Sequence, residues 1–244
     1  MKRKTGESEI IYTRSWNARS TELLNSGKIN DAIKNDLFNL TWRITSKFII
    51  NKLKIKNSDI VFDAGFGLGR VIIGLKYYLP GLRIDGVELT DIFAKETRIF
   101  LKDFNMNKGV NLEQGDLINY QLEENKYDSV YSTRVLHYIR DKENILSKFY
   151  KSLKKGGKAL IIIPNKYCPY QLITYKHAPL YAIHKVKKIM EKVGFKKVLT
   201  GGYGFIPPFI ENDFDSPTYF IEYVLERLPA INYLGGLGYV VGKK

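Results

Sequence analysis

Three acidic residues and three closely spaced glycines are the part of this sequence best equipped for chemistry. An apolar run ends in an acid and turns through glycines: Val61-Phe62-Asp63-Ala64-Gly65-Phe66-Gly67-Leu68-Gly69-Arg70. Glycine is needed where the backbone turns sharply and a ligand approaches with no Cβ in the way. A dinucleotide fingerprint reads Gly-x-Gly-x-x-Gly, and its third glycine position is here Arg70. Asp63 would also repel a pyrophosphate, so the turn suits a cationic ligand with an amino acid end. Nineteen residues after Gly69 comes Glu88, within Asp85-Gly86-Val87-Glu88-Leu89. A carboxylate at the end of a second strand accepts hydrogen bonds from both hydroxyls of a ribose. Asp116, in Gln114-Gly115-Asp116-Leu117, follows a third strand. There it either accepts from an exocyclic adenine amino group, with apolar neighbours against the ring, or caps a turn.

A fourth segment, Tyr127-Asp128-Ser129-Val130-Tyr131-Ser132-Thr133-Arg134-Val135-Leu136-His137, places Ser132 and Thr133 at a strand's carboxyl end. His137 has two readings. It is the one histidine near these motifs, and histidine titrates close to neutrality, so it is a candidate general base. It also fits as a packed side chain that shapes the pocket.

The elements that must hold these residues alternate. Strand-like runs are expected at 60–62, 82–89, 110–113, 127–132, 158–164, 196–201 and 238–241, with helices over 71–78, 90–104, 141–153 and 184–193 between them. Ala159 to Ile163 is apolar throughout, as in a strand covered on both faces. Gly194 is a natural stop for the last helix. Such alternation predicts an α/β fold with a mostly parallel sheet and helices on both faces, binding its ligand at the strands' carboxyl ends. Before the first strand, Ala18 to Leu53 reads as helix, with Leu37, Leu40, Ile44 and Phe48 in one stripe. Residues 1–57 are therefore expected to form a helical cap, and 58–244 the main domain. Pro207, Pro208, Pro217 and Pro229 mark residues 205–233 as an insertion or edge decoration, and Phe205, Phe209, Phe214, Tyr219, Phe220 and Tyr223 lie in it.

Composition bounds the rest. The chain has 244 residues and a formal charge of +14. Residues 142–197 hold fourteen lysines against Glu143 and Glu191. That stretch is either a solvated face or a surface for RNA or anionic membrane. No apolar run is long enough to span a membrane, and none follows the basic N-terminus as in an export signal. The single cysteine, Cys168, has no zinc-type spacing around it, and no metal site is expected. These features point to the cytoplasm; none selects an oligomeric state.

In order and spacing the four segments resemble the class I S-adenosylmethionine-dependent methyltransferases, over roughly Ser58 to Phe205. Lys155-Gly156-Gly157, a turn common in that family before strand five, extends the resemblance. It implies a Rossmann-like seven-stranded sheet, with the last strand antiparallel between strands five and six. It also implies S-adenosyl-L-methionine as cofactor. Asp63, Ala64, Gly65, Phe66, Gly67 and Gly69 would then lie on its methionine side, Glu88 and Leu89 at the ribose, Asp116 and Leu117 at the adenine, and Thr133 near the methionine part. The methyl already sits on a sulfonium, so catalysis can rest on holding a nucleophile in line with it. After strand four stands Ser132-Thr133-Arg134-Val135, not the Asn/Asp-Pro-Pro-aromatic motif of many amino-directed enzymes. A small-molecule or lipid-like acceptor, methylated on O, N or C, is therefore the expectation. The alternatives are an RNA methyltransferase, on basic charge alone, and a non-catalytic adenosylmethionine-binding scaffold.

Overall fold

The structure is a computed structural model, and it describes residues 40–169, 181–205, 220–221, 224–225, 228 and 231–244. Its helices are α1 (Leu40–Leu53), α2 (Arg70–Tyr78), α3 (Asp91–Asp103), α4 (Lys142–Ser152) and α5 (Ile183–Val193). Its strands are β1 (Ile60–Ala64), β2 (Arg83–Glu88), β3 (Val110–Gln114), β4 (Tyr127–Thr133), β5 (Leu153–Pro164), β6 (Lys196–Tyr203) and β7 (Leu237–Lys243). They form one seven-stranded sheet in the order β3-β2-β1-β4-β5-β7-β6. β1 to β5 pair in parallel, while β7 runs antiparallel between β5 and β6. This is the Rossmann-like sheet the resemblance implies. Strand order reverses between β1 and β4, which is where ligands bind in open parallel sheets.

The apolar run in β5 serves both faces. Leu160 and Ile162 join a core with Phe48 and Ile49 of α1, Ile72 and Leu75 of α2, and Phe100 of α3. Ile161 and Ile163 join the opposite core with Ile145 and Phe149 of α4 and Val186 of α5. Successive side chains on a strand point to opposite faces, so only an unbroken apolar run fills both layers. α1 packs on the sheet's far end: Phe48 stacks on Tyr203 with ring centroids 4.2 Å apart, and the Lys52 ammonium donates to the Tyr239 hydroxyl at 2.9 Å.

β5 begins five residues earlier than the pattern suggests. Leu153 pairs with Tyr127, and the register then slips before Ser129 pairs with Lys158. Lys155-Gly156-Gly157 is thus carried within the strand as an irregularity, not as a free turn. A Cβ on Gly157 would stand 2.9 Å from the Asp128 carbonyl oxygen, and the Lys154 ammonium anchors the same segment to the Asp128 carboxylate at 2.8 Å. Of the expected 18–53 helix, 40–53 is seen as helix. The earlier part, with Leu37, lies outside the described residues, as do Phe209, Phe214, Tyr219 and Tyr223.

Candidate active site

The four segments singled out in sequence meet at the carboxyl ends of β1, β2, β3 and β4. Backbone hydrogen bonds align them: Gly65 donates to the Val87 carbonyl at 2.9 Å and Gly115 to the Glu88 carbonyl at 2.8 Å. The Ser132 hydroxyl donates to the Ala64 carbonyl at 2.9 Å, which sets Thr133 level with Gly65.

Each glycine of the turn has its own reason. A Cβ on Gly65 would meet Val135 Cγ2 at 2.3 Å, and one on Gly69 would meet Thr97 Cγ2 at 2.2 Å. These two glycines let neighbouring elements close up, and Gly69 takes the helix-packing role that a dinucleotide site gives to the next position. Gly67 differs: a Cβ there would meet nothing within 4 Å. Its φ of 55° lies in the left-handed region, which disfavours any larger side chain. Gly67 therefore borders open space at the mouth of the turn.

Glu88 ties that turn to β2. One carboxylate oxygen accepts from the Gly67 N–H at 2.9 Å and the other from the Thr90 N–H at 3.0 Å. A carboxylate offers about four lone-pair positions, so acceptor capacity remains on both oxygens. Burial raises the Glu88 pKa above the usual carboxylate value, and the two backbone donors partly offset this. Asp63 lies deeper, 2% exposed. The Tyr131 hydroxyl donates to it at 2.9 Å, yet desolvation, with the Glu88 charge adding to it, pushes its pKa up to about 8. Two carboxylates thus lie close enough for the Glu88 charge to act on Asp63, with no cation bonded to either among the described residues. Such a site is complementary to a positively charged ligand.

The other expected residues divide. Ala64 is fully buried; Phe66 and Leu117 sit in the two cores, Phe66 beside Gly86. Leu89 is half-buried at the end of β2. The Asp116 carboxylate accepts from the Ile118 N–H at 2.9 Å and from the Asn119 side-chain amide at 3.2 Å, so it braces its own turn. The Thr133 hydroxyl oxygen is buried with no hydrogen-bond partner among the described residues. His137 is 4% exposed, and neither ring nitrogen has a hydrogen-bond partner among the described residues. Burial, with Arg134 and Lys142 adding positive charge, lowers its pKa to about 3.

Two contributors escaped the sequence reading. Tyr131 looked like one more core residue of β4, and only the register pairing it with Asp63 reveals its hydroxyl's task. Thr90 supplies its N–H to Glu88 from the residue before α3, a position whose type carries no sequence signature.

Residues 62–159 match the family model for a methyltransferase domain. The matched span takes in Asp63, Gly67, Glu88, Asp116 and Thr133. The chain is 29% identical over 170 residues to phosphoethanolamine N-methyltransferase 1 of Triticum aestivum, covering 64% of this chain and 32% of that enzyme. It is 22% identical over 186 residues to a sterol 24-C-methyltransferase of Saccharomyces cerevisiae, covering 71% of this chain and 47% of that enzyme. It thus spans less than half the length of either relative. A solved structure of an S-adenosylmethionine-dependent methyltransferase from Archaeoglobus fulgidus superposes with a TM-score of 0.61 at 20% identity, covering 83% of this chain and 92% of that one. No helix among the described residues is long and apolar enough to cross a membrane.

Proposed function

We propose that this protein is an S-adenosylmethionine-dependent methyltransferase acting on a small-molecule or lipid-like acceptor. The observation that carries the reading is the Gly67 turn: open space at its Cβ, bounded by the Glu88 carboxylate bonded to its own N–H and by buried Asp63. The residues fit the cofactor, whose ammonium and sulfonium are cationic and whose ribose presents two hydroxyls. The cofactor supplies a methyl group already activated for transfer on a sulfonium.

The chain's own residues do the rest. Asp63, ionised by an incoming cation, holds the methionine ammonium, and Tyr131 orients its carboxylate. Glu88 spends its remaining lone pairs on the ribose hydroxyls while clamping the turn, with Leu89 beside it. Gly65, Gly67 and Gly69 keep the turn close to the ligand, the backbone of Ala64 and Phe66 completing it. The Thr133 hydroxyl supplies a donor beside Gly65. Asp116 and Leu117 border the adenine end, Asp116 through whatever acceptor capacity its turn leaves. His137 is neutral at physiological pH and so is able to accept a proton, though a pKa near 3 makes it a weak base. Its stronger role is to shape the acceptor side. The names of the relatives, phosphoethanolamine and sterol methyltransferases, support a small or lipid-like acceptor over RNA.

Methyl-labelled cofactor, offered with phosphoethanolamine, with a sterol and with transfer RNA, tests this. Label is expected in a small or lipid acceptor. Label in RNA alone would overturn the acceptor class, and cofactor binding without transfer to any would favour a scaffold.

A further inference from the structure

The exposed apolar side chains of this molecule are not scattered. Of the twelve large ones at the surface among the described residues, seven fall between 220 and 234. Single exposed apolar residues are ordinary, but a row of them marks a contact surface. The backbone shows how the row forms. The Leu228 N–H donates to the Leu225 carbonyl at 3.3 Å, Ile231 to Leu228 at 3.1 Å and Leu234 to Ile231 at 2.8 Å. Hydrogen bonds that close every three residues carry Leu228, Ile231 and Leu234 forward in one ridge, 40%, 38% and 45% exposed.

This ridge is held at the end of the sheet that carries the cofactor turn. The Asn165 side-chain amide, just past β5, donates to the Tyr233 and Gly235 carbonyls at 2.7 Å each, and the Tyr233 hydroxyl lies 3.3 Å from the Thr200 hydroxyl of β6. A Cβ on Gly235 would stand 2.6 Å from the Tyr203 backbone, so the ridge is seated directly on β6. α5 starts beside it: a Cβ on Gly238, at the start of β7, would meet Ile183 Cγ2 at 2.3 Å.

α5 supplies charge. Its exposed side chains are His184, Lys185, Lys188, Glu191 and Lys192. Glu191, the sole acid of the helix, lies 3.8 Å from Lys187, and Lys192 pairs with Glu143 at 2.7 Å. Lys185 and Lys188 keep no acidic partner among the described residues, Lys185 standing 5.9 Å from the Tyr181 ring. Lys196 and Lys197, both exposed, extend the charge along the start of β6. Lys142, in contrast, is 6% exposed and takes no part in this surface. Glu222, Glu226 and Arg227 leave the ridge segment one net negative charge in sequence, so the attraction for an anion comes from α5.

Aliphatic side chains beside unpaired lysines suit one occupant best. RNA would engage the lysines and leave the leucines in water. A second copy laid on the ridge would bring two sets of unpaired lysines together. An anionic bilayer uses both features: apolar side chains enter between headgroups, and lysines meet acidic lipid. We propose that the 228–234 ridge, with Lys185 and Lys188, docks this chain on an anionic lipid bilayer. The docking does not depend on the methyltransferase reading; where both hold, it brings the end of the sheet with the cofactor turn to the lipid surface.

Sedimentation of the full chain with vesicles tests this, comparing phosphatidylcholine alone with phosphatidylcholine mixed with phosphatidylserine. The chain is expected to pellet with the mixed vesicles at low salt, to be released as salt rises, and to bind phosphatidylcholine alone about tenfold more weakly or less. Lys185→Gln and Lys188→Gln are each expected to weaken binding about fivefold, and Leu228→Ser combined with Leu234→Ser about tenfold. These side chains are exposed, so thermal melting and S-adenosylhomocysteine affinity are expected to match the parent chain. No binding of the unaltered chain to mixed vesicles at low salt would overturn the proposal, as would undiminished binding by the leucine double variant. Dimers that the leucine double variant dissociates, in a chain that ignores vesicles, would give the ridge to a second copy. Transfer RNA binding that needs the lysines but not the leucines, again without vesicle binding, would give the lysines to RNA. Either result overturns bilayer docking.

Discussion

Replacing Glu88 by Gln separates the turn clamp that the structure shows from the ribose contact proposed for the same carboxylate. Its two oxygens accept from the Gly67 and Thr90 N–H groups at 2.9 and 3.0 Å. An amide keeps one acceptor and turns the other position into a donor facing an N–H. One charge-assisted bond is lost, worth about 1.5–3 kcal/mol, so the free protein should lose about 1–2 kcal/mol after the side chain relaxes. Cofactor affinity should fall by a further 1–3 kcal/mol, about 5- to 150-fold, if the same oxygens also hold the ribose. The two effects are read separately. Urea unfolding without ligand reports the clamp, and calorimetry with S-adenosylhomocysteine and its 2′-deoxy analogue reports the ribose. The substitution should cost the deoxy ligand less, because one partner hydroxyl is already gone. Equal costs for the two ligands would show that Glu88 serves the turn alone and would refute the ribose contact.

Three further outcomes follow from the same geometry. Gly67→Ala should cost about 1–2 kcal/mol of stability through its left-handed φ and abolish most cofactor binding, while Gly69→Ala, driven into Thr97, should cost more stability; thermal melts and ligand titrations of both variants check the order. Asp63 keeps a proton in the folded protein up to about pH 8, whereas the unfolded chain loses it near 3.8, so the folded state binds more protons between these values and this group's contribution to stability falls as pH rises through that window. Asp63→Asn should flatten the fall in thermal unfolding, and cofactor binding to the parent protein near neutral pH should release a proton, seen as a buffer-dependent calorimetric heat. With its pKa lowered to about 3, His137 should give kcat/KM no limb near 6.5; a limb there that His137→Gln removes would restore it as a conventional general base.

Much of the fold was readable because its periodicities are strong. β1 and β5 are apolar on both faces, and the helices between strands carry single apolar stripes, so the alternation announced itself. The antiparallel β7 was not readable from pattern: a strand covered on both faces looks the same in either direction, and that placement came from the family resemblance. Glu88 was legible from its distance to Gly69, because strand, turn and helix have fixed lengths. Its bonds to Gly67 and Thr90 were not, since they depend on how the turn folds back. Tyr131 was hidden because an aromatic residue in a core strand shows its hydroxyl's partner only once the register is known. Lys142 was counted among fourteen lysines of a basic stretch. Only burial separates it from the solvated ones, and sequence alone does not display burial for an amphipathic side chain.

The central claim, that the Gly67 turn with Glu88 and Asp63 is built for S-adenosylmethionine, is tested most directly by titrating the full chain with S-adenosylmethionine and, separately, with NAD. The account predicts saturable binding of S-adenosylmethionine, weakened in Glu88→Gln, and no measurable binding of NAD. NAD binding as tightly as S-adenosylmethionine would contradict it.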